Sequence, residues 1–476
     1  MTRGDKLTCD ICIIGAGSGG LSIAAGAAQM GAKVILIERG KMGGDCLNTG
    51  CVPSKSIIAA AHAAHTGQAG ARFGVHFAPP EIRFAEVHDH IHGVIGAIAP
   101  HDSVERFEKF GVRLIQESAA FTGPDEVAAG PYRISARRYV VATGSRAALP
   151  PVTGLAEANP LTNESVFELT ERPSHLIVIG GGPIGLEMAQ SFRRLGSMVT
   201  VLERFSILPR DEPEAAVIAR RALQDDGVAL LEQVEVGGVR RLGEVVEIDI
   251  VEQGQTRTIS GSHLLVAAGR TPVIAGLGLD LAGIKHGPRG IEVDAGLRSS
   301  NRKVYAVGDV AGGPQFTHVA GYHAGIVIRN ALFGLPAKVD YSALPWVTYL
   351  DPEVAHVGLT EAEARKSRSN VSVLQEAYTG NDRAQAERRT EGFIKIVLDG
   401  KRIIGATIVA PHAGEMIGLW GLAISRKLPL SAIAGMIAPY PTMAELSKRV
   451  AGSYFTPKLF SDRVRWIVGL VQKWLP

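Results

Sequence analysis

Residues 9–38 read CDICIIGAGSGGLSIAAGAAQMGAKVILIE. Cys9 to Ile14 is a short apolar run rich in isoleucine, which predicts a buried strand. Gly15-Ala16-Gly17-Ser18-Gly19-Gly20 follows at once, and Leu21 to Met30 is small and apolar, which suits a helix. A second apolar run, Val34 to Ile37, ends at Glu38. The order is strand, turn, helix, strand. Gly15 permits a tight turn, Gly17 lets the backbone approach a pyrophosphate, and Gly20 lets helix and strand pack closely. The pyrophosphate would sit at the helix N-terminus, where free N–H groups and the dipole favour anions. Glu38 would accept a hydrogen bond from a ribose hydroxyl.

The arrangement returns later. His175 to Ile179 reads as a strand, Gly180-Gly181-Gly182-Pro183-Ile184-Gly185 as the turn, Leu186 to Leu195 as the helix, and Val199 to Leu202 as the next strand. Glu203 closes it, 23 residues past Gly180, just as Glu38 lies 23 past Gly15. One such pattern is weak evidence; two complete units with matched spacing imply two dinucleotides. Glu203 repels a 2′-phosphate and bonds a free 2′-hydroxyl, which favours NAD. Arg204 beside it attracts phosphate, so NADP stays open.

Working outward, the 476 residues suit about three domains at roughly 100–200 residues each. A chain that is 46% hydrophobic and 20% charged is ordinary globular protein. A net charge of +3 gives no footing for nucleic acid or acidic partners. The opening MTRGDKLTCDICIIGAG lacks the order of a signal peptide, and no run of about 18 uncharged apolar residues predicts a membrane span. Four cysteines, at 9, 12, 46 and 51, are too few for a secreted disulfide scaffold. The expectation is a cytoplasmic protein.

Gly43-Gly44-Asp45-Cys46-Leu47-Asn48-Thr49-Gly50-Cys51-Val52-Pro53-Ser54-Lys55 follows the first unit. Two cysteines five apart bracket a short segment, and a helix is predicted from about Ser54. A disulfide there would close a small ring, and strained or exposed disulfides tend to be the catalytic ones. Lys55 could stabilise a thiolate. A structural pair and half of a metal site are the alternatives. The second requires another pair at zinc spacing, and Cys9 and Cys12 lie in a strand read as buried, where free cysteine acts as a small hydrophobe.

The stretch Gly43 to Lys55 resembles the active-site signature of the class I pyridine nucleotide-disulfide oxidoreductases, a family that includes dihydrolipoamide dehydrogenase, glutathione reductase and mercuric reductase. The resemblance runs from Cys9 to about Tyr454. It takes in Ala142-Thr143-Gly144, Ala268-Gly269-Arg270-Thr271-Pro272, Val307-Gly308-Asp309-Val310 and the stretch from Pro345 to Gly358. It implies FAD and a nicotinamide as cofactors, with Gly44, Lys55, Thr143, Gly144 and Asp309 on the flavin side and Gly269 and Arg270 at the exit of the nicotinamide domain. Asp309 would hold the ribityl chain. It implies that nicotinamide reduces flavin and that flavin reduces a Cys46–Cys51 disulfide. Cys51 would lie nearer the flavin, Cys46 would exchange with the substrate, and Lys55 would pair with Glu187. It also implies a homodimer.

One departure matters. Members that handle disulfides carry a histidine base in a His-x-His-Pro-Thr-x-x-Glu run, held by the glutamate. Here the run is Ala438-Pro439-Tyr440-Pro441-Thr442-Met443-Ala444-Glu445. Tyrosine has an ordinary pKa of about 10 against about 6.5 for histidine, so Tyr440 donates but is a poor base at neutral pH. Loss of a general base costs about 10²–10⁴ in rate, so slow dihydrolipoamide turnover is expected, unless a group such as His412 substitutes. Tyrosine at this point is similar to mercuric reductase. That enzyme ends in a vicinal cysteine pair, however, and here no cysteine follows Cys51; a soft metal needs thiolates.

Past Tyr454, Phe460, Val464, Ile467, Val471 and Trp474 recur at helical steps among Lys458, Arg463, Arg465 and Lys473. This tail reads as a helix packed on its own dimer, with a peripheral membrane helix as the alternative. His88, His90 and His92 alternate in a helical stretch and read as an exposed face, not a metal site. The expected architecture is α/β: two Rossmann-like dinucleotide-binding domains, FAD over 1–150 and 271–340 and NAD over 151–270. An α+β dimerisation domain follows over 341–455, with a tail over 456–476. Tyr440 and Glu445 of one subunit would complete the site of the other. The function expected is NAD(P)H:disulfide oxidoreduction on a small or protein-bound disulfide or dithiol. The alternatives are metal-ion reduction and a degenerate flavoprotein serving as a binding partner.

Overall fold

The computed structural model describes residues 5–475. The chain divides into two compact units. The first takes the residues up to Gly180 together with Ser191–Arg204 and Val234–Val339; the second takes Gly181–Gln190, Phe205–Gln233 and the chain from Asp340.

The first unit is built on a sheet whose parallel core follows from the opening motif. Asp5–Ile14 lies between Val34–Ile37 and Tyr132–Val141, and Val34–Ile37 pairs in turn with Arg113–Ile115, all parallel. The opening strand starts four residues before the apolar run, because Asp5 to Thr8 pair with Tyr132 to Ser135 even though most of them face water. Val304–Ala306 joins beside Tyr132–Val141, also parallel. Register then does the placing: Ile14, Ile37 and Val141 lie level, and Ala306 lies level with Val141. The segments that leave after these residues, beginning at Gly15, Glu38, Ala142 and Val307, therefore emerge from one edge. An antiparallel pair, Ala119–Gly123 with Glu126–Ala129, extends the sheet.

Helix Ser18–Gln29 packs against helix Thr317–Ala331. A Cβ at Gly26 would meet the tip of the Ile328 side chain at 2.5 Å, so the two helices touch there. Cys9 and Cys12 are buried in the sheet core beside Tyr139 and Phe121. Strand His175–Ile179 lies between Met198–Glu203 and His263–Val266, again all parallel. An antiparallel meander follows, Val234–Leu242, Val245–Glu252 and Gln255–Gly261.

The second unit contains a five-stranded antiparallel sheet in the order Pro345–Thr348, Glu353–Gly358, Arg402–Ala410, Phe393–Asp399, Val371–Ala377. Helix Ala413–Ser425 covers it. Trp420 is fully buried there and donates its indole N–H to Ser447 Oγ at 3.3 Å. Beyond Tyr454 a short turn and helix Asp462–Val471 follow, and no side chain of that helix is buried within the single chain. The apolar stripe read from sequence is thus uncovered. No helix among the described residues is long and apolar enough to cross a membrane.

Candidate active site

The first glycines of the two turns share the same backbone arrangement. Gly15 N–H donates to Ile37 C=O at 2.8 Å, and Gly180 N–H donates to Leu202 C=O at 2.9 Å. Gly15 has φ +107° and Gly180 φ +118°, a region that excludes side chains by strain. A Cβ would stand 2.4 Å from Ala142 O at the first and 2.5 Å from Ala267 O at the second. A Cβ at Gly20 would overlap Gly15 O at 1.9 Å, which is the close helix-to-turn packing the sequence predicts. Gly17 is open apart from Gly44 Cα at 3.9 Å, and Gly182 has nothing within 4 Å among the described residues. Gly185 lies in the first turn of helix Pro183–Arg194.

Helix Ser18–Gln29 has no side-chain cap and no acid in its first turn, so its N–H groups face the loop. Gly44, at φ +58°, backs against Gly17, where a Cβ would come within 2.7 Å of Gly17 Cα. Glu38 accepts from Ala16 N–H at 2.6 Å and Gly40 N–H at 2.7 Å, holding the turn at the strand end. This uncapped N-terminus between two glycine loops is a cradle that any Cβ would fill, and it fits the pyrophosphate of FAD.

The cysteine loop lies on the same unit. Gly44–Asn48 is a short helix carrying Cys46, and the next helix starts at Cys51 rather than Ser54. Cys51 therefore occupies the N-terminus of a 19-residue helix, where the dipole favours a thiolate. Cys46 and Cys51 are not joined in a disulfide here. The hydrogen bond from Cys46 pushes the Cys51 pKa down to about 6 against the pull of burial. The Thr317 hydroxyl, 3.3 Å away, and the Lys55 charge add to the lowering. The same bond, together with burial, holds the Cys46 thiol well above its ordinary range. One thiolate and one thiol, sharing a proton, is the state that disulfide exchange requires.

A polar network that the sequence did not reveal joins this loop to the other motifs. Arg270 donates to Ser145 Oγ at 2.7 Å and to Asp45 Oδ2 at 3.0 Å. Ser145 donates in turn to Asp309, and Asn163 donates to Asp45 Oδ1 at 2.9 Å. Burial raises the Asp309 pKa, opposed by Ser145 and Arg270. Thr143 donates to Val273 C=O at 2.7 Å, and strands Ser145–Ala147 and Arg270–Pro272 pair, so the exits at Gly144 and Gly269 are tied together. Asp45 immediately precedes Cys46, which was the one available signal; Ser145, Asn163 and Thr317 carried none.

In the second unit, Glu187 is buried and accepts from Tyr349 N–H at 3.0 Å. Tyr440 is exposed and donates to Asp382 Oδ2 at 2.7 Å, a bond that raises its pKa further from neutrality. Glu445 accepts from Arg449 at 3.1 Å. The resemblance implied that the glutamate holds the group at position 440; within this chain each has another partner, because a phenol is best served by an acceptor and the glutamate by a cation. His412 sits at the N-cap of helix Ala413–Ser425 at φ +58°. Arg204 pairs with Glu235 at 3.5 Å.

Residues 9–324 match the family described as pyridine nucleotide-disulphide oxidoreductase, and residues 344–451 match its dimerisation domain. The chain belongs to the pyridine nucleotide-disulphide oxidoreductases. It is 36% identical over 455 residues to a mercuric reductase of Streptomyces lividans, covering 94% of this chain and 96% of that one. It is 35% identical over 467 residues to a dihydrolipoyl dehydrogenase of Geobacillus stearothermophilus, covering 95% and 97%. Among solved structures it resembles the HOCl-induced flavoprotein disulfide reductase RclA of Escherichia coli, with TM-score 0.83, 26% identity and coverage of 93% and 99%. LpdA of Mycobacterium tuberculosis gives TM-score 0.86 at 25% identity, covering 94% and 99%. Members of this family use FAD and NAD(P)H, and the fold is the α/β architecture the sequence predicts, with a C-terminal dimerisation domain.

Proposed function

We propose that the chain moves two electrons between a nicotinamide dinucleotide and a disulfide or dithiol substrate through Cys46 and Cys51. The observation that carries this reading is Cys51 at a helix N-terminus, bonded to Cys46 and Thr317, with its pKa drawn down to about 6. When bound, FAD supplies what side chains lack: exchange of an electron pair with a nicotinamide on one side and with thiols on the other. Gly15, Gly17, Gly20, Glu38, Gly44, Thr143, Gly144 and Asp309 would hold it. Gly180, Gly182, Gly185, Glu203, Gly269 and Arg270 would serve the nicotinamide. Glu203 favours NAD, and the Glu235 carboxylate beside Arg204 competes with any 2′-phosphate.

In the reducing direction, Cys46 attacks one sulfur of the substrate disulfide. A mixed disulfide forms, the substrate S–S bond breaks, and the first thiolate leaves with the Cys46 proton. Cys51 then attacks Cys46, the Cys46–Cys51 bond forms, and the second substrate thiolate leaves with a proton from solvent. The substrate gains two electrons and the pair loses two. Lys55 steadies the Cys51 thiolate. Tyr440 and Glu445 are assigned to the site of the opposite subunit in a homodimer, a reading supported by the dimerisation-domain match. Tyr440 has one hydroxyl proton, held by Asp382 within the chain, and would have to turn from that acceptor to donate there.

The cofactor domains follow the boundaries read above: FAD over 1–150 and 271–340, NAD over 151–270, the interface over 341–455, and a tail over 456–476 assigned to dimer packing. Four cysteines suit a reducing compartment, the cytoplasm. A second reading, metal-ion reduction, is favoured by Tyr440 and by the mercuric reductase relatives. A binding partner without turnover would not need the thiol pair at all.

Replacing Cys46 by Ser in the holoenzyme separates these readings. Disulfide turnover is expected to vanish while NADH oxidation by an artificial acceptor continues. Undiminished disulfide turnover in the variant would sink the proposal.

A further inference from the structure

Helix Phe84–Ile98 carries His88 and His92 one turn apart, so they share a face. That face is not the exposed one expected from sequence: both imidazoles are half-buried, with ring centroids 4.2 Å apart. Glu168, at the end of the short turn Val166–Glu168 and some 80 positions away in sequence, reaches the same point. One donor atom from each of the three lies within 4.8 Å of the others. His92 Nε2 is shielded from solvent and has no hydrogen-bond partner among the described residues. It stands 3.6 Å from Glu168 Oε2, too far for a hydrogen bond. A nitrogen and an oxygen that share a tetrahedral zinc ion, at bond lengths of about 2.0–2.2 Å, stand about 3.3 Å apart, so the observed gap fits an ion between them.

The neighbouring acid supports the same reading. His88 Nδ1 lies 3.2 Å from Asp89 Oδ1. Donation from Nδ1 fixes the tautomer that leaves Nε2 free to ligate, the carboxylate–histidine arrangement usual behind metal-bound imidazoles. Two imidazoles and a carboxylate suit borderline divalent ions, zinc foremost, and offer no soft thiolate for mercury. Glu168 is more than half exposed, which leaves room for water as a fourth ligand.

We infer that His88, His92 and Glu168 form a binding site for a borderline divalent cation of the zinc type, sharing no residue with the redox loop and clipping helix Phe84–Ile98 to the turn at Val166–Glu168. The ion adds a cross-link within the first unit and stabilises it by mass action.

The test uses oxidised, untagged holoenzyme, in which a closed Cys46–Cys51 pair cannot compete for the metal. Equilibrium dialysis against zinc, read by elemental analysis, is expected to give about one ion per chain and a rise in Tm. His92→Ala should abolish both effects, and Glu168→Gln should weaken binding at least about tenfold. Unchanged flavin content shows that the variants fold, and Glu168→Gln keeps the helix intact if His92→Ala does not fold. Equal zinc retention by wild type and both variants would overturn the site, as would no retention by the wild type.

Discussion

At Cys51 opposing influences meet. Burial and the Asp45 carboxylate favour the neutral thiol; Cys46, Thr317 and Lys55 favour the thiolate, and the balance falls at a pKa of about 6. Because that value is depressed from the ordinary one of about 8.5, the thiolate persists above pH 6 and is lost as pH falls through it. In two-electron-reduced holoenzyme, the long-wavelength absorbance of a thiolate beside flavin should fade on acidification with a midpoint near 6. A midpoint near 8.5 would show that Cys46, Thr317 and Lys55 do not act on Cys51 as described. Tyr440 differs in kind. Its bond to Asp382 raises its pKa and keeps it protonated near neutral pH, so it offers no base there.

At the scale of elements, the proposed dinucleotide cradle rests on the glycine turns. Gly15→Ala would impose about 1–3 kcal/mol of backbone strain and drive a Cβ into Ala142 O. The variant is expected to purify without flavin; a full flavin complement would show that the turn is not the cradle. Strand Phe393–Asp399 makes a different point. It reads Phe-Ile-Lys-Ile-Val-Leu-Asp, and the lysine is almost wholly buried. Lys395 Nζ bonds Glu212 at 2.9 Å, Glu214 at 3.0 Å and Glu361 at 2.8 Å. Burial opposes its charge, but the three carboxylates outweigh burial and raise its pKa. Lys395→Ala leaves those acids uncompensated and should cost about 3–5 kcal/mol, read by chemical denaturation. A loss within 0.5 kcal/mol, roughly the range of a surface substitution, would mean water replaces the lysine freely.

For the whole molecule, what could be read in sequence was local and repeated. Gly15 and Gly180 announce their turns because a positive φ admits little else. The matched distances to Glu38 and Glu203 then give the strands between. The cysteine loop was legible for the same reason, as a compact run of unusual residues. The Arg270–Asp45–Ser145–Asp309 network was not, since residues bonded to each other in it lie up to 225 positions apart in sequence and only the register of Val304–Ala306 beside Tyr132–Val141 brings Asp309 to that edge. Glu168 was invisible beside His88 and His92 for the same reason. The central claim is that electrons from the nicotinamide come to rest on Cys46 and Cys51. Anaerobic titration of oxidised holoenzyme with NADH, followed in the visible spectrum, tests it most directly. The account predicts a long-wavelength band after two electrons, with the flavin absorbance largely kept. Simple bleaching of the flavin with no such band would contradict it.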